Sequence, residues 1–380
     1  MGQYSRLVRV MEARGHFKNG ASLKSQTSRG NNNIKVMMKK NFLGVTVACI
    51  VILFCVSVSF KSHVININTT NRMSITTQKS GMDFRVSGSG EMNIDWGDET
   101  AVETHMLSAF SGMLPSQKLI HIYSDTFPHT ITISGHITHL HLSEQKIISL
   151  DVSNNTALTS LYCRDWDKTK GLTSLDVSKN TALTYLACFG HQLTSLDVSK
   201  NIALTHLGCG LNQLTSLNVS KNIALTNLWC EDNQLISLDV SKNTALEYLH
   251  CYHNQLTSLD VSKDTALISL DCSHNQLISL DLSKNNALTY LYCRHNQLTS
   301  LYVSKDAIEL VHLLLCNNQL STAAFNSLFG ILHDKTLEGY FPMLLRKKTV
   351  TIFDNPGTDS CDQSIVTNKG WDVRLVEFEF

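Results

Sequence analysis

Leucines recur at a fixed interval through the middle of the chain. They stand 21 residues apart at Leu172, Leu193, Leu214, Leu235, Leu256, Leu277 and Leu298. A unit this short cannot bury its own apolar side, so it must stack on its neighbours and add one short strand per repeat to a shared sheet. The interval therefore predicts a solenoid.

Within each repeat, apolar and polar positions alternate over a short strand. In the triplet Leu161, Tyr162 and Cys163, the first and third side chains are expected to point into the solenoid and the second outward. An asparagine follows at the bend and is expected to satisfy backbone groups that the turning strand leaves unpaired. These asparagines are Asn212, Asn233, Asn254, Asn275, Asn296 and Asn318.

The second half of each repeat, LTSLDVSKN, has the same apolar spacing about ten residues further along the chain. It predicts a flattened coil with two strand-like sides. Lysines and aspartates on this second side align from repeat to repeat. We interpret them as a solvated surface, because exposed ion pairs contribute only about 0–1 kcal/mol each.

The repeat resembles that of the leucine-rich-repeat family, which is built on LxxLxLxxNxL with a period of about 20–29 residues. The segment LTYLYCRHNQL, residues 288–298, fits this pattern at every fixed position when Cys293 takes the third apolar site. From about residue 38 to residue 375 the order of segments resembles bacterial cell-surface proteins of the internalin type. The resemblance implies a β-rich solenoid with parallel strands and an asparagine ladder, closed by a short N-terminal β cap and a C-terminal α/β cap.

Seven of the eleven cysteines share one inward position of the repeat, and we expect them to act as small core residues. They are Cys163, Cys188, Cys209, Cys230, Cys251, Cys272 and Cys293. Stacked parallel side chains fit disulfide geometry poorly. The chain has no CxxC pair and its thiols are spread along the solenoid axis, which disfavours a zinc site. No cofactor is predicted.

The first 60 residues divide by composition. Residues 1–41 are basic and predict a disordered segment, or a start placed too early if Met37 or Met38 is the true first residue. Residues 42–60 carry no charge, and their length suits either a signal peptide or a membrane anchor. Basic residues before such a segment keep that end in the cytoplasm, so we expect the remainder in the cell envelope, anchored or secreted.

A linker is predicted at residues 61–81, followed by short strands over residues 82–135, where polar and apolar residues alternate. The run DWGD at residues 95–98 resembles a motif of the polycystic-kidney-disease-type (PKD) β-sandwich, so we expect a reduced form of that fold as an N-terminal cap. The acidic side chains of Asp95, Asp98 and Glu99 could hold calcium, but a tight turn is favoured.

The solenoid is predicted at residues 136–320 and a C-terminal cap at residues 321–380. Ser321 is a candidate helix N-cap. The apolar residues that follow share one helical face, which predicts that they are buried. They are Phe325, Leu328, Phe329 and Leu332.

Charge and motifs argue against several functional classes. The 32 basic and 32 acidic side chains cancel, so no global field attracts the chain to nucleic acid. The sequence contains no nucleophile with a placed base, no paired carboxylates in a pocket motif and no glycine-rich phosphate loop. We therefore predict a protein that is not an enzyme.

The repeats vary at the outward positions around LxxLxC, whereas the SLDVSKN side is nearly constant. Many of the varied residues are Tyr, Trp or Arg, which dominate binding hot spots because they bury large areas at modest entropic cost. The candidate ligand-binding residues are Tyr162, Arg164, Tyr185, Phe189, Trp229, Glu231, Tyr248, His250, Tyr252, Tyr290, Tyr292 and Arg294. The predicted partner is a protein, with a protein on a host cell as one candidate. The alternatives are glycan binding and a purely structural envelope spacer.

One further column consists of His253, His274 and His295, each directly before a ladder asparagine. Imidazoles one strand apart could chelate a transition metal or respond to pH. Duplication of the repeat also explains the column without any function, and this explanation is favoured.

Overall fold

A computed structural model describes residues 71–165, 171–335 and 347–376. The segments predicted at 1–41 and 42–60 lie outside these residues. Across the described ranges, no helix has the length and apolarity needed to cross a bilayer.

The first six strands precede the regular repeats. They are β1 (Arg72–Thr77), β2 (Gly81–Asp95), β3 (Glu103–Met106), β4 (Gln117–Ile122), β5 (His129–His141) and β6 (Ile147–Asp151). Strand β1 lies inside the segment predicted to be a linker. It pairs antiparallel with β5 and β6 and buries Met73 and Ile75, so the linker prediction is wrong for residues 72–77.

The long strands β2 and β5 pair antiparallel and change register near Gly88. Gly88 allows a close approach there, because a Cβ atom would lie 2.1 Å from the carbonyl oxygen of His136. The first part of β2 pairs with β4, and its second part pairs with β3. Phe84 and Trp96 pack edge to face in the core beneath these strands, with ring centroids 5.9 Å apart.

The repeats form short strands that stack in parallel and in register. They are β7 (Ser160–Tyr162), β8 (Tyr185–Ala187), β9 (His206–Gly208), β10 (Asn227–Trp229), β11 (Tyr248–His250), β12 (Ser269–Asp271), β13 (Ser279–Leu282), β14 (Tyr290–Tyr292), β15 (Ser300–Val303) and β16 (His312–Leu314). All belong to one sheet except β13 and β15, which pair with each other on the second side of the coil. The predicted solenoid with parallel strands is confirmed.

The central residue of each strand in the main sheet points inward, as Leu249 does between Leu228 and Leu270 of the neighbouring coils. The seven cysteines of the repeat are fully buried beside these leucines and are free thiols. The predicted core position of the cysteines is confirmed.

The predicted asparagine ladder is also confirmed. Asn254 donates from Nδ2 to the carbonyl oxygens of Cys230, at 3.0 Å, and Cys251, at 3.1 Å, and its Oδ1 accepts from the Leu235 N–H at 3.0 Å. The other five ladder asparagines make equivalent bonds. Each bend is therefore tied to the coil before it.

A second ladder lies at the opposite bend. Asn243 donates from Nδ2 to the carbonyl oxygens of Val219, at 3.0 Å, and Asn222, at 2.8 Å. The same arrangement recurs at Asn180, Asn201, Asn222 and Asn285. Asp264 interrupts this ladder. It is fully buried, and neither carboxyl oxygen has a hydrogen-bond partner.

The C-terminal elements extend the sheet. Helix α1 (Thr322–Ile331) begins after Ser321, whose hydroxyl accepts from the Ala324 N–H at 3.2 Å, and it buries Phe325, Leu328 and Phe329. The predicted N-cap and apolar face are confirmed. Strand β17 (Lys348–Thr351) pairs in parallel with β16, and after helix α2 (Ser364–Thr367) strand β18 (Trp371–Arg374) pairs in parallel with β17.

Replacing Asp264 with asparagine is expected to stabilise the protein. Burial, followed by the charges of Asp260 and Asp239, raises the pKa of Asp264 to about 7, whereas an unfolded aspartate titrates near 3.9. The wild type therefore loses stability as the pH rises from about 4 through about 7. Asp264→Asn should raise the free energy of unfolding by about 1–3 kcal/mol at pH 8, with a smaller gain at pH 4.

Urea unfolding at both pH values measures this difference. Asp197→Asn is the matched control, because Asp197 is exposed on the same side of the solenoid but lies three coils from the coil of Asp264. Equal stability of Asp264→Asn and the wild type at pH 8 would contradict the expectation.

The thiols of the seven buried cysteines of the repeat are expected to resist labelling in the native protein. Burial raises the pKa of each, so neither access nor thiolate is available to an electrophile. A water-soluble maleimide, followed by peptide mapping with mass spectrometry, should label these cysteines only in denaturant. If these cysteines in the native protein reacted as fast as an exposed thiol, without prior unfolding, the core would be open.

Candidate functional site

The outward side chains of the main sheet form one continuous surface, which we call the strand face. All twelve candidate ligand-binding residues lie on it and all are half-buried. Tyr185, Tyr248 and Tyr290 begin their strands, Tyr162, Trp229, His250 and Tyr292 end theirs, and Arg164, Phe189, Glu231, Tyr252 and Arg294 follow two residues after a strand end. The structure thus brings the predicted set together on one side of the solenoid.

An aromatic series crosses the N-terminal half of the strand face. His141 stacks on Tyr162 at 4.3 Å between ring centroids, and Tyr162 stacks on Tyr185 at 6.4 Å. The series continues from Tyr185 to His206 at 5.6 Å and from His206 to Trp229 at 6.1 Å. Five successive strands therefore present contiguous ring surface.

Two glycines make room for larger neighbours on the face. A Cβ atom on Gly208 would lie 2.3 Å from the ring of Phe189, so this ring lies over the next coil. The guanidinium of Arg164 stands 5.9 Å from the Phe189 centroid. A Cβ atom on Gly210 would lie 2.7 Å from the carboxyl carbon of Glu231. Side chains from two coils therefore fold over the strand between them.

The carboxyl group of Glu231 lies in an environment that disfavours its charged form. Its Oε2 atom is buried and has no hydrogen-bond partner. Burial, and then the charges of Asp232 and Asp271, raises the pKa of Glu231 to about 7. The carboxyl group is therefore only partly ionised at neutral pH, and a nearby cation would favour its charged form.

Small side chains interrupt the aromatic surface in the C-terminal half. Strand β12 carries only small or short outward side chains, Ser269 and Asp271, and Ser273 follows them. In the sheet register, Asp271 lies between His250 and Tyr292 of the neighbouring coils. Ser269 and Ser273 are only 6% and 3% exposed, so larger neighbouring side chains cover them.

The charge of Asp271 depends on its neighbours. The Oδ1 atom of Asp271 accepts from the Ser273 N–H at 3.0 Å. Burial raises the pKa of Asp271, and hydrogen bonds from Ser273, followed by interactions with His250 and Arg294, oppose this rise. Burial and neighbouring groups, including Asp271, also raise the pKa values of Tyr252 and Tyr292 to about 12.

The three rings of the histidine column stack on one another, but their nitrogens do not point to a common site. Ring centroids are 4.0 Å apart between His253 and His274 and 4.2 Å apart between His274 and His295, with the planes nearly parallel. All three residues have a left-handed backbone, with φ of 52°, 53° and 53°. Parallel stacked rings do not direct their nitrogens at one point, and no group of three potential ligands for a metal ion occurs within the ranges that the structure describes.

The acidic residues of the DWGD run form a turn. Asp95 Oδ1 accepts from the Gly97 N–H at 3.0 Å, and Asp98 Oδ1 accepts from the Thr100 N–H at 3.2 Å. Asp98 Oδ2 pairs with His121 at 2.7 Å. Burial opposes ionisation of Asp98, but the hydrogen bonds from Thr100 and His121 outweigh it and lower its pKa to about 2. The favoured interpretation as a tight turn is confirmed.

Part of the strand face was not predicted from the sequence. Strand β2 continues the main sheet beyond β5, with Arg85 opposite His141, and β4 continues it further, with Ile120 opposite Asp83. Ile120 is 60% exposed, and Phe110 stacks on His139 at 4.2 Å. The outward histidines of β5 had a visible signal, since their strand fits the repeat. The residues of β2 and β4 had none.

No family model and no curated protein matches the chain. Among solved structures, it is similar to the functional domain of InlJ from Listeria monocytogenes, which includes a cysteine ladder, at 34% identity and a TM-score of 0.51 over 64% of this chain and 50% of that one. A leucine-rich-repeat protein of Leptospira interrogans is 24% identical, with a TM-score of 0.47 over 58% and 56% of the two chains.

An internalin, InlF of Listeria monocytogenes, is 20% identical, with a TM-score of 0.43 over 63% of this chain and 82% of that chain. The chain spans about half the length of the first two structures that it matches. It has the leucine-rich-repeat solenoid fold. The predicted likeness to bacterial proteins of the internalin type is confirmed.

Replacing His274 with asparagine is expected to weaken the loss of stability in acid. Burial and the charges of His253, His295 and Arg294 lower the pKa of His274 to about 4, against about 6.5 when unfolded. The unfolded state therefore binds more protons between these values, and the stability associated with neutral His274 is lost as the pH falls from about 6.5 through about 4.

Asparagine suits the left-handed backbone and already occupies the same column at Asn317. The difference in melting temperature between pH 7.5 and pH 4.5 should be smaller in His274→Asn than in the wild type. An unchanged difference would show that the column does not titrate with folding. His136→Asn, at an exposed site in β5, is the control.

Proposed function

We propose that this chain is a non-catalytic recognition protein of the bacterial cell envelope, anchored or secreted, that engages a protein partner through the strand face. The similarity to internalin-type solenoids supports an interaction scaffold in general. The nature of the partner and the location in the envelope are parts of the proposal. A partner on a host cell would be in keeping with an exported protein.

One observation carries the proposal. The inward leucines, the cysteines and the two asparagine ladders repeat almost without change, whereas the outward positions of the same strands differ from coil to coil. Those outward positions carry tyrosine, tryptophan and arginine, held half-buried on a rigid sheet. Large side chains fixed in this way lose little entropy on binding, which favours recognition.

The shape of the surface supports binding rather than catalysis. A described cavity of about 570 Å³ lies on the lysine side of the coil, at Ser262, Lys263 and Asp306 among others. The strand face is one side of an extended sheet, and a site on such an open surface excludes water poorly. Catalysis by electrostatic stabilisation depends on that exclusion.

Glycan capture is the second candidate, favoured by the ring series from His141 to Trp229. Contiguous ring faces can stack on sugar rings as well as on protein side chains. A glycan site would be restricted to a few adjacent coils and would saturate with a free oligosaccharide.

A binding screen of the purified full chain against protein and glycan arrays tests the proposal. The triple variant Trp229→Ala/Tyr252→Ala/Tyr292→Ala removes three large side chains from the strand face. Because central aromatic residues each contribute about 2 kcal/mol or more, the variant should bind the main protein hit at least about 100-fold more weakly.

Tyr302→Ala provides the matched control. Tyr302 is also aromatic, but it is 57% exposed on β15, on the second side of the coil. Unchanged binding in Tyr302→Ala and an unchanged melting temperature in the triple variant complete the expected result. Hits that depend on neither variant, or hits confined to glycans, would overturn the protein-partner proposal.

A further inference from the structure

We propose that a cavity at the N-terminal end of the strand face binds a carboxylate group, which belongs to an aspartate or glutamate side chain of the protein partner. This inference rests on the proposed function, because it states what chemistry a protein partner must present to one part of the strand face. It concerns strand β2 and its surroundings, which carry none of the twelve candidate ligand-binding residues.

The cavity has a volume of about 270 Å³, and we call it the β2 cavity. Pockets that hold a drug-sized ligand measure about 300–1,000 Å³, so this one suits a smaller group such as an acidic side chain. Arg85 and His141 lie opposite each other in the sheet register, and His141 stacks on Tyr162, so the cavity adjoins the aromatic series. The residues that line it include Lys79, Asp83, Arg85, Leu114, His141 and Glu144.

The connection between β3 and β4 forms one wall of the β2 cavity. The Leu107 N–H donates to the Gly90 carbonyl oxygen at 2.9 Å, and the Ser116 N–H donates to the Ser87 hydroxyl at 2.7 Å. Both ends of the connection are therefore fixed to β2, and Leu114 lies between them. A wall that is held in place before a ligand arrives loses little conformational entropy on binding.

Arg85 is the group that would hold the carboxylate. It is half-buried and donates from Nη1 to the Pro115 carbonyl oxygen at 3.3 Å. Within the described residues Arg85 makes no ion pair. A guanidinium carries five donors in a planar fork, so the others can bind both oxygens of a carboxylate. The charge of Arg85 also reaches His141, whose pKa is lowered by burial and then by this charge.

The surrounding charges favour an anion. Asp83 pairs with Lys118 at 2.9 Å, which offsets its charge. The lining also carries Lys79 and Arg85, for which the described residues provide no ion pair, and Glu144, which is exposed to water that weakens its attraction for them. A partner that brings a carboxylate therefore gains complementarity, whereas a basic group is disfavoured.

The rim of the cavity favours an acidic side chain of a protein over an acidic sugar. Leu114 is 48% exposed, and Met113 beside it is 99% exposed. Exposed apolar side chains can pack against apolar side chains of a protein partner, and methionine adapts its shape to them. They offer no hydrogen bonds to the hydroxyl groups of a sugar. We therefore assign the cavity to an aspartate or glutamate side chain, with an acidic sugar as an outcome of the test.

Fluorescence anisotropy of a dye-labelled peptide tests the inference on the full chain. The probe is a capped glycine-serine peptide with a central leucine-glutamate-leucine segment, and its twin carries glutamine in place of glutamate. Because a charge-assisted hydrogen bond to a carboxylate is lost with glutamine, the glutamate peptide should bind at least about tenfold more tightly. Arg85→Gln should reduce this affinity by about tenfold, because it removes the charge but keeps a donor for the Pro115 carbonyl oxygen.

Arg72→Gln is the matched control, since it makes the same change at an exposed site on β1 that does not line the cavity. Lys79→Gln is a second variant that removes the other cation, and it should also weaken binding. All three variants should keep the melting temperature of the wild type. Equal affinity for the two peptides, or binding that is unaffected by both Arg85→Gln and Lys79→Gln, would overturn the inference.

Competition with glucuronate, an acidic sugar, distinguishes the two sources of a carboxylate. Glucuronate should displace the glutamate peptide no more readily than N-acetylglutamate amide does. Displacement by glucuronate at clearly lower concentrations would assign the cavity to an acidic sugar and overturn the assignment to a protein side chain.

The two proposals fail in different ways. If array hits depend on Trp229, Tyr252 and Tyr292 while the two peptides bind equally, the recognition function holds and the carboxylate assignment is wrong. If no array hit depends on the strand face, the recognition function is wrong, whereas loss of the glutamate peptide in Arg85→Gln would still establish a carboxylate site.

Discussion

The structure depends on how the bends of each coil satisfy their backbone. The strands of the main solenoid are only three or four residues long, so most of each coil is bend, and a bend exposes N–H and C=O groups that no strand neighbour can pair. At the bend that follows each strand of the regular repeats, a buried asparagine supplies both a donor and an acceptor, whereas the asparagines of the second ladder supply donors only. The bonds of these asparagines reach into the preceding coil, so the same hydrogen bonds satisfy the backbone and hold neighbouring coils together.

This constraint explains the division between constant and varied positions. A substitution at Leu249, Cys251 or Asn254 alters the contact between two coils, whereas a substitution at Tyr248 or Tyr252 changes only what the surface presents. The sheet register is identical from coil to coil, so any outward residue stands directly beside its counterpart. Stacked rings, a glycine covered by a neighbour's ring and serines covered by larger neighbours are all products of that alignment.

Local periodicity made the solenoid predictable, and long-range pairing limited the prediction. The 21-residue interval, the ladder asparagines, the buried cysteines and the Ser321 cap each follow from residues close in the chain. Strand β1 pairs with residues about 60 positions away, and nothing within 71–81 signals that partner. The extension of the main sheet through β2 and β4 was missed for the same reason.

The residues of the strand face could be predicted from the sequence, but the way their side chains pack over one another could not. Outward residues could be read from the repeat, and all twelve lie on one face. That Phe189 lies over Gly208, or that Glu231 lies against Gly210, depends on rotamers and on which neighbouring coil is small. Ser269 and Ser273 are likewise covered because they fall between two tyrosine-bearing coils, a relation between coils that inspection of single repeats does not show.

The buried carboxyl of Asp264 has a consequence for how the array unfolds. In a linear stack each coil is coupled only to its neighbours, so the cooperativity of the whole is limited by the weakest coupling. Asp264 lacks the amide donor that links the bends at Asn180, Asn201, Asn222, Asn243 and Asn285 to the coils before them. Above neutral pH the solenoid should behave as two cooperative blocks joined at this coil, and local opening would begin there, next to strand β12.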